Sequence, residues 1–130
     1  LEENPLLWVT DMETARAAEL ARERLERFAA LQGRFAGNDA WGFLVKLGYP
    51  VDGAQADGER EHLWFIVHAV EGGQVDATLT NEPYAIAAMH EGQRGRFELR
   101  FLSDWAIFCE HGRFGPDSVG ELERALQDAA

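Results

Sequence analysis

The chain has 130 residues, 46% of them hydrophobic and 27% charged, which is a globular composition long enough to bury a core as one domain, residues 1–130. Its 23 acidic residues against 12 basic ones give a net charge of -11, which argues against nucleic acid and against anionic membrane surfaces as ligands. The local basic patch at Arg94, Arg96 and Arg100 is too small to reverse that balance.

Residues 1–10, LEENPLLWVT, have neither a basic n-region nor a long apolar h-region. No apolar run approaches the length of a membrane span. With one cysteine, Cys109, the chain forms no internal disulfide and does not rely on an oxidising compartment. These features point to the cytoplasm. Trp8, in PLLWV, either staples the start of a helix or docks on a partner, in cis or in trans.

Thr10-Asp11-Met12-Glu13 has the form of a capping box and predicts a helix over 9–32, with Gly33 past its end. At 100° per residue, Ala18, Ala21, Leu25, Phe28 and Ala29 make one stripe, narrow enough to lie close on a sheet. Glu13, Arg16, Glu23, Arg24 and Arg27 make the opposite, solvated side, with Glu23 and Arg27 as a favourable pair.

A β core follows over 41–109. WGFLVKLGYP reads as a strand ended by Gly48 and Pro50, and VDGAQADGER as a surface loop. EHLWFIVHAV is the strongest strand, and its unbroken run Leu63 to Val67 predicts a central strand buried on both faces. Glu71-Gly72-Gly73-Gln74 supplies a two-residue hairpin turn into QVDATLTN. That turn sets Val70, His68, Ile66 and Trp64 opposite Val75, Ala77, Leu79 and Asn81.

Pro83 then ends the pairing, Tyr84 to Met89 crosses over irregularly, and Glu91-Gly92-Gln93 turns. Arg96 to Phe101 alternates, with the aromatics and Leu99 inward. Ser103-Asp104 reads as a tight turn or short 3₁₀ element before a last strand, Trp105 to Cys109. Ser118-Val119-Gly120-Glu121 caps a short helix over 117–128. The fold class is α+β: a long N-terminal helix packed on a strongly bent antiparallel sheet of four to five strands, in the limit a small open barrel.

Five segments together resemble the YegJ-like bacterial domain of unknown function. They are Phe43-Leu44-Val45-Lys46, Glu61-His62-Leu63-Trp64, Leu79-Thr80-Asn81-Glu82-Pro83, the turn at Gly92, and Ser103-Asp104-Trp105. The resemblance spans residues 41 to 109 and leaves the N-terminal helix and the C-terminal tail unmatched. Gln93 and Ala77 depart from its pattern, which has an acidic residue and a glycine there. It implies a small α+β architecture and no particular activity.

Catalytic signatures are missing. Ser103 and Ser118 sit where turn or cap chemistry accounts for them, and no nucleophile elbow, P-loop, dinucleotide fingerprint or paired-cysteine motif occurs. His62 and His68 lie on one strand about 20 Å apart, too far to share a metal. Cys109 and His111 could ligate together, with only His90 or Asp117 in view as a third ligand. The simpler reading is a buried Cys109 and a core-facing His68 bonded to backbone, so neither metal nor cofactor is expected.

The candidate ligand site is His62, Trp64, Asn81, Glu82, Asp104 and Trp105, gathered at one end of the sheet. Glu82 beside His62 would form an acid–base pair. The competing local reading gives Asn81 an Asx turn and makes Asp104 the cap of a turn before Trp105. Trp41, Tyr49, Trp64, Trp105 and Phe108 could form a ligand platform, but most of them read as core. The function that follows is a non-catalytic binding or protein-interaction module with an acidic surface, its partner a protein with a basic surface. The alternative is a small enzyme or small-ligand-binding domain using His62, Glu82 and Asp104. Oligomeric state is not legible.

Overall fold

The computed structural model describes residues 15–53 and 59–129. The capping box at Thr10 to Glu13 and the segment around Trp8 lie outside the described residues. The chain is helical over residues 15–23 (α1), breaks at Arg24, and resumes as α2, Leu25–Phe35. Arg24 leaves helical geometry at φ -108°, ψ 13°, although its amide still reaches the Leu20 carbonyl at 3.1 Å. The helix also runs past Gly33, and Phe35 in its last turn stacks on Trp41 at 3.8 Å between ring centroids.

The apolar stripe lies where the wheel put it. Ala21, Phe28 and Leu31 are buried, and Ala18, Leu25 and Ala29 are partly so. The opposite side is not all solvated, however. Arg27 pairs through two nitrogens with Glu123, and Arg24 donates to the Pro116 carbonyl at 2.6 Å. Arg27 reaches the C-terminal helix, α3 (Val119–Asp128), and Arg24 the segment just before it, which a helical wheel of one segment cannot anticipate.

Among the described residues six strands form one antiparallel sheet: β1 (Gly42–Pro50), β2 (Arg60–Glu71), β3 (Gln74–Leu79), β4 (Arg94–Glu98), β5 (Leu102–Cys109) and β6 (Gly112–Phe114). Their order is β4-β3-β2-β1-β5-β6, so the sheet is open and not a barrel. The extra strand arises because the chain reverses at Glu110-His111 and Gly112, at φ 121°, takes a conformation that a side chain would strain. The 3₁₀ turn occupies Leu99–Phe101 rather than Ser103-Asp104, and β5 begins before those two residues. The Ser118 hydroxyl makes no cap for α3 and accepts instead from the Gly115 amide at 2.9 Å.

The hairpin forms at Gly72 and Gly73, both with positive φ, and starts in the expected register with Glu71 opposite Gln74 and Val70 opposite Val75. Then it slips. Val67 pairs Ala77 and Phe65 pairs Leu79, because His68 is the extra residue of a bulge. Buried Gln32 on α2 donates to the His68 carbonyl at 2.9 Å, satisfying the group that the bulge takes out of the ladder. The His68 ring is exposed, not core-facing, and meets the Thr78 hydroxyl at 2.8 Å.

One slip of this kind exchanges the two faces of a strand. Leu63, Phe65 and Val67 turn into the core with Val45, Leu47 and Trp105, under Phe28 and Leu122. Burying each large side chain stabilises the fold by roughly 1.5–3 kcal/mol. Trp64 and Ile66 turn the other way, and Ile66 stays 44% exposed. The run Leu63 to Val67 is therefore buried on one face, not on both.

Candidate functional site

Two places on the sheet carry side chains that packing does not explain. The first is its open face. Leu44 stands opposite both Ile66 and Ala106, and Phe108 opposite Arg113. With Trp64 and Thr80 they line a groove of about 430 Å³ whose walls are chiefly apolar. Phe108 is 42% exposed, and the Lys46 ammonium lies 5.7 Å from the Trp64 ring centroid.

The second is the end of the sheet where β1 finishes and β2 and β5 begin. The imidazole Nδ1 of His62 lies 2.9 Å from the hydroxyl of buried Ser103, which donates to the Lys46 carbonyl at 3.2 Å. A hydroxyl has one proton, so Nδ1–H must be the donor to Ser103 and Nε2 is left unprotonated. Burial, followed by the charges of Lys46 and Arg60, lowers the His62 pKa and favours this neutral ring. Around the pair, Arg22, Arg60 and Arg100 line a cavity of about 550 Å³ together with Gly48 and Phe101.

The six residues expected to converge take separate places. Glu82 accepts from the Glu91 amide at 3.0 Å and meets His90 Nδ1 at 3.2 Å, so it closes its own loop and is not the partner of His62. Those contacts, the amide first, hold its carboxyl below the usual range. Asn81 is exposed beside Thr80, and Thr80, not Asn81, bonds the Trp64 carbonyl through its amide and hydroxyl. Trp105 is fully buried and donates its indole N–H to the Ala21 carbonyl at 3.0 Å, binding α1 to the sheet. Asp104 stands opposite Lys46 and accepts from the Trp105 amide at 2.8 Å. Its carboxyl is pushed up, by burial above all. His62 reaches Ser103, the residue before Asp104, and Trp64 and Asp104 both stand opposite Lys46, but none of these makes a hydrogen bond to another of the six beyond the Asp104–Trp105 neighbours.

Glu61 is likewise taken by backbone, accepting from the Tyr84 and Ala85 amides at 2.9 and 2.8 Å. His90 belongs to the Glu82 loop, His111 lies beside Glu110, and half-buried Cys109 packs against the core. Among the described residues no three His, Cys, Asp or Glu side chains form a metal-binding group, and no helix is long and apolar enough to cross a membrane. Sequence reasoning missed Arg22 and Arg60, grouped Arg100 with Arg94 and Arg96 instead, and took Gly48 only as a strand end. The arginines share no local pattern, but a glycine inside a strand is a signal of close approach, here by the His62 ring.

An open antiparallel sheet packed with helices describes a small α+β domain, and among the described residues its polar side chains define no particular activity. Residues 11–129 match the family described as "Uncharacterized protein conserved in bacteria (DUF2314)", and the chain belongs to that family. The match takes in the helical N-terminal part and α3 as well as residues 41 to 109, and it does not carry the narrower YegJ-like name. No curated protein and no solved structure matches the chain.

Proposed function

We propose that this domain is a non-catalytic protein-interaction module whose docking surface is the open face of the sheet. The observation that supports the reading is the strip of Leu44, Trp64, Ile66 and Phe108, an apolar groove on the face that the helices leave uncovered. Soluble domains rarely leave such a strip in water without a use for it, because each Å² covered by a partner returns roughly 25 cal/mol. The occupant we infer is a protein of net positive charge presenting an apolar ridge. The strip supplies contact, and the net charge of -11 supplies steering that favours a basic partner. A cytoplasmic location goes with this reading and is supported by the single cysteine. The small-ligand reading built on His62, Glu82 and Asp104 has less support, since each carboxylate is engaged by a local backbone amide.

A photo-crosslinking residue placed at Ile66 in living cells tests this, with exposed Glu121 on α3 as the control position. The expected result is a discrete adduct at position 66 alone. Its partner should be basic and should rebind when both proteins are purified, with an affinity that falls in salt and with Ile66→Glu. An adduct to a second copy of the chain, or within the chain to residues 1–14, would replace the reading with self-association or self-closure. No adduct at position 66 would end it.

A further inference from the structure

We propose that the cavity at the end of the sheet binds a small phosphomonoester through Arg22, Arg60 and Arg100. The three arginines come from α1, the first residue of β2 and the 3₁₀ turn, so no helical or strand repeat accounts for their meeting. In a chain with 12 basic residues and 23 acidic ones, bringing three guanidinium groups to one cavity runs against the overall balance. Three arginines elsewhere are neutralised by a carboxylate: Arg27 has Glu123, Arg94 has Asp76 and Arg96 has Glu71. Here the bonding differs. Arg22 donates to the Arg100 carbonyl at 3.2 Å and Arg60 to the Gly48 carbonyl at 2.9 Å. Those acceptors are neutral; they orient the guanidinium groups without cancelling their charge, and neither group has a carboxylate partner among the described residues. Arg100 spends its Nε on Glu98 at 2.9 Å.

Phe101 keeps the arrangement in place. The Arg100 and Arg60 guanidinium carbons lie 4.7 and 5.6 Å from its ring centroid. Guanidinium forks stacked in this way are suited to an oxyanion with several acceptor oxygens, which their N–H groups bind in pairs. Such an anion would also offset the mutual repulsion of the three guanidinium groups. His62 adds a polar atom of the right kind. With Nδ1–H on Ser103, its Nε2 can accept the proton of a phosphate monoanion. A cavity of about 550 Å³ is far larger than a phosphate group needs, and Ala15, Ala18 and Phe101 give the remainder an apolar lining. An organic body attached to the phosphate would fill it.

The test titrates the purified full chain with inorganic phosphate and with phenyl phosphate against sodium chloride of equal ionic strength, reading thermal shift and side-chain amide shifts by NMR. Saturable binding is expected for both, tighter for phenyl phosphate. Arg60→Gln and Arg22→Gln should each weaken it by about tenfold or more, as expected for loss of a charged hydrogen bond. Arg94→Gln, outside the cavity, should leave it unchanged. Circular dichroism establishes that each variant folds, and Arg22→Gln, on an exposed position of α1, keeps the test open if Arg60→Gln does not. Absence of saturable binding overturns the proposal. So does binding that Arg94→Gln weakens as much as Arg60→Gln and Arg22→Gln, which would mark a diffuse charge effect. Neither result depends on the open sheet face.

Discussion

The ring of His62 lies across Gly48 on the neighbouring strand so closely that a Cβ there would stand 2.7 Å from Cε1 and 2.9 Å from Nδ1. Gly48 has no positive φ, so the glycine is required for space and not for backbone freedom. Gly48→Ala should therefore push the ring off Ser103 while leaving the strand intact. NMR titration should show the His62 pKa rising toward its ordinary 6.5, because the displaced ring loses the burial that lowers it. An unchanged titration would mean that the ring does not occupy this position.

The same imidazole gives stability a pH dependence. Burial, Lys46 and Arg60 disfavour the charged ring in the fold, whereas the unfolded chain protonates it near 6.5. Its contribution is complete above that value and is lost as pH falls through 6.5 toward the lower folded value. The difference in urea midpoint between the wild type and His62→Gln should shrink over that window. A constant difference would place the titrating group elsewhere.

Asp104 works in the opposite sense. Burial raises its pKa, outweighing the Trp105 amide, Lys46 and Arg113, and Asp117 adds to the rise. The native state then holds the proton more tightly than the unfolded chain. The contribution is present below the unfolded value of 3.8 and is lost as pH rises through the folded one. Asp104→Asn keeps an oxygen for the Trp105 amide and removes the charge. It should raise the denaturation midpoint at neutral pH, with the gain disappearing in acid. A loss of stability at neutral pH would show that the charge is used.

Gln32→Met should be costly although it is isosteric and helix-compatible. It leaves the His68 carbonyl at the bulge without its donor, which costs roughly 1–3 kcal/mol. Hydrogen exchange should quicken at residues 66 to 70 before it does so in β1. A neutral effect would mean that water satisfies that carbonyl.

How far residues alone could lead is clearest on β2. The Gly72-Gly73 turn and its first two pairs follow from local chemistry, and both are present. Beyond them, every residue from Leu63 to Val67 is apolar, so alternation offers no way to choose which set faces the core. The choice goes with the bulge at His68, whose carbonyl is held by Gln32, on a helix more than thirty residues away. Arg24 and Arg27 misled for a related reason, since their partners Pro116 and Glu123 lie at the other end of the chain. Glu82 could have been assigned correctly: His90 and the Glu91 amide are close in sequence, and a carboxylate before a proline and a glycine turn favours such a local staple.

In the sheet order every pairing but one joins strands adjacent along the chain; the exception is β1 with β5. The run β1-β2-β3-β4 can assemble by successive reversals, and hairpins of this kind close in roughly 1–10 μs. β5 has to return across that whole meander to the far edge of β1, with the loop-closure entropy that a distant contact carries. It brings Trp105, and through the indole bond to Ala21 it brings α1. Topology therefore makes β5 the strand expected to dock last, and the arginine-lined cavity, which draws on α1, β2, the 3₁₀ turn and Ser103 of β5, needs that docking. On that order of events the cavity is completed only when the fold is.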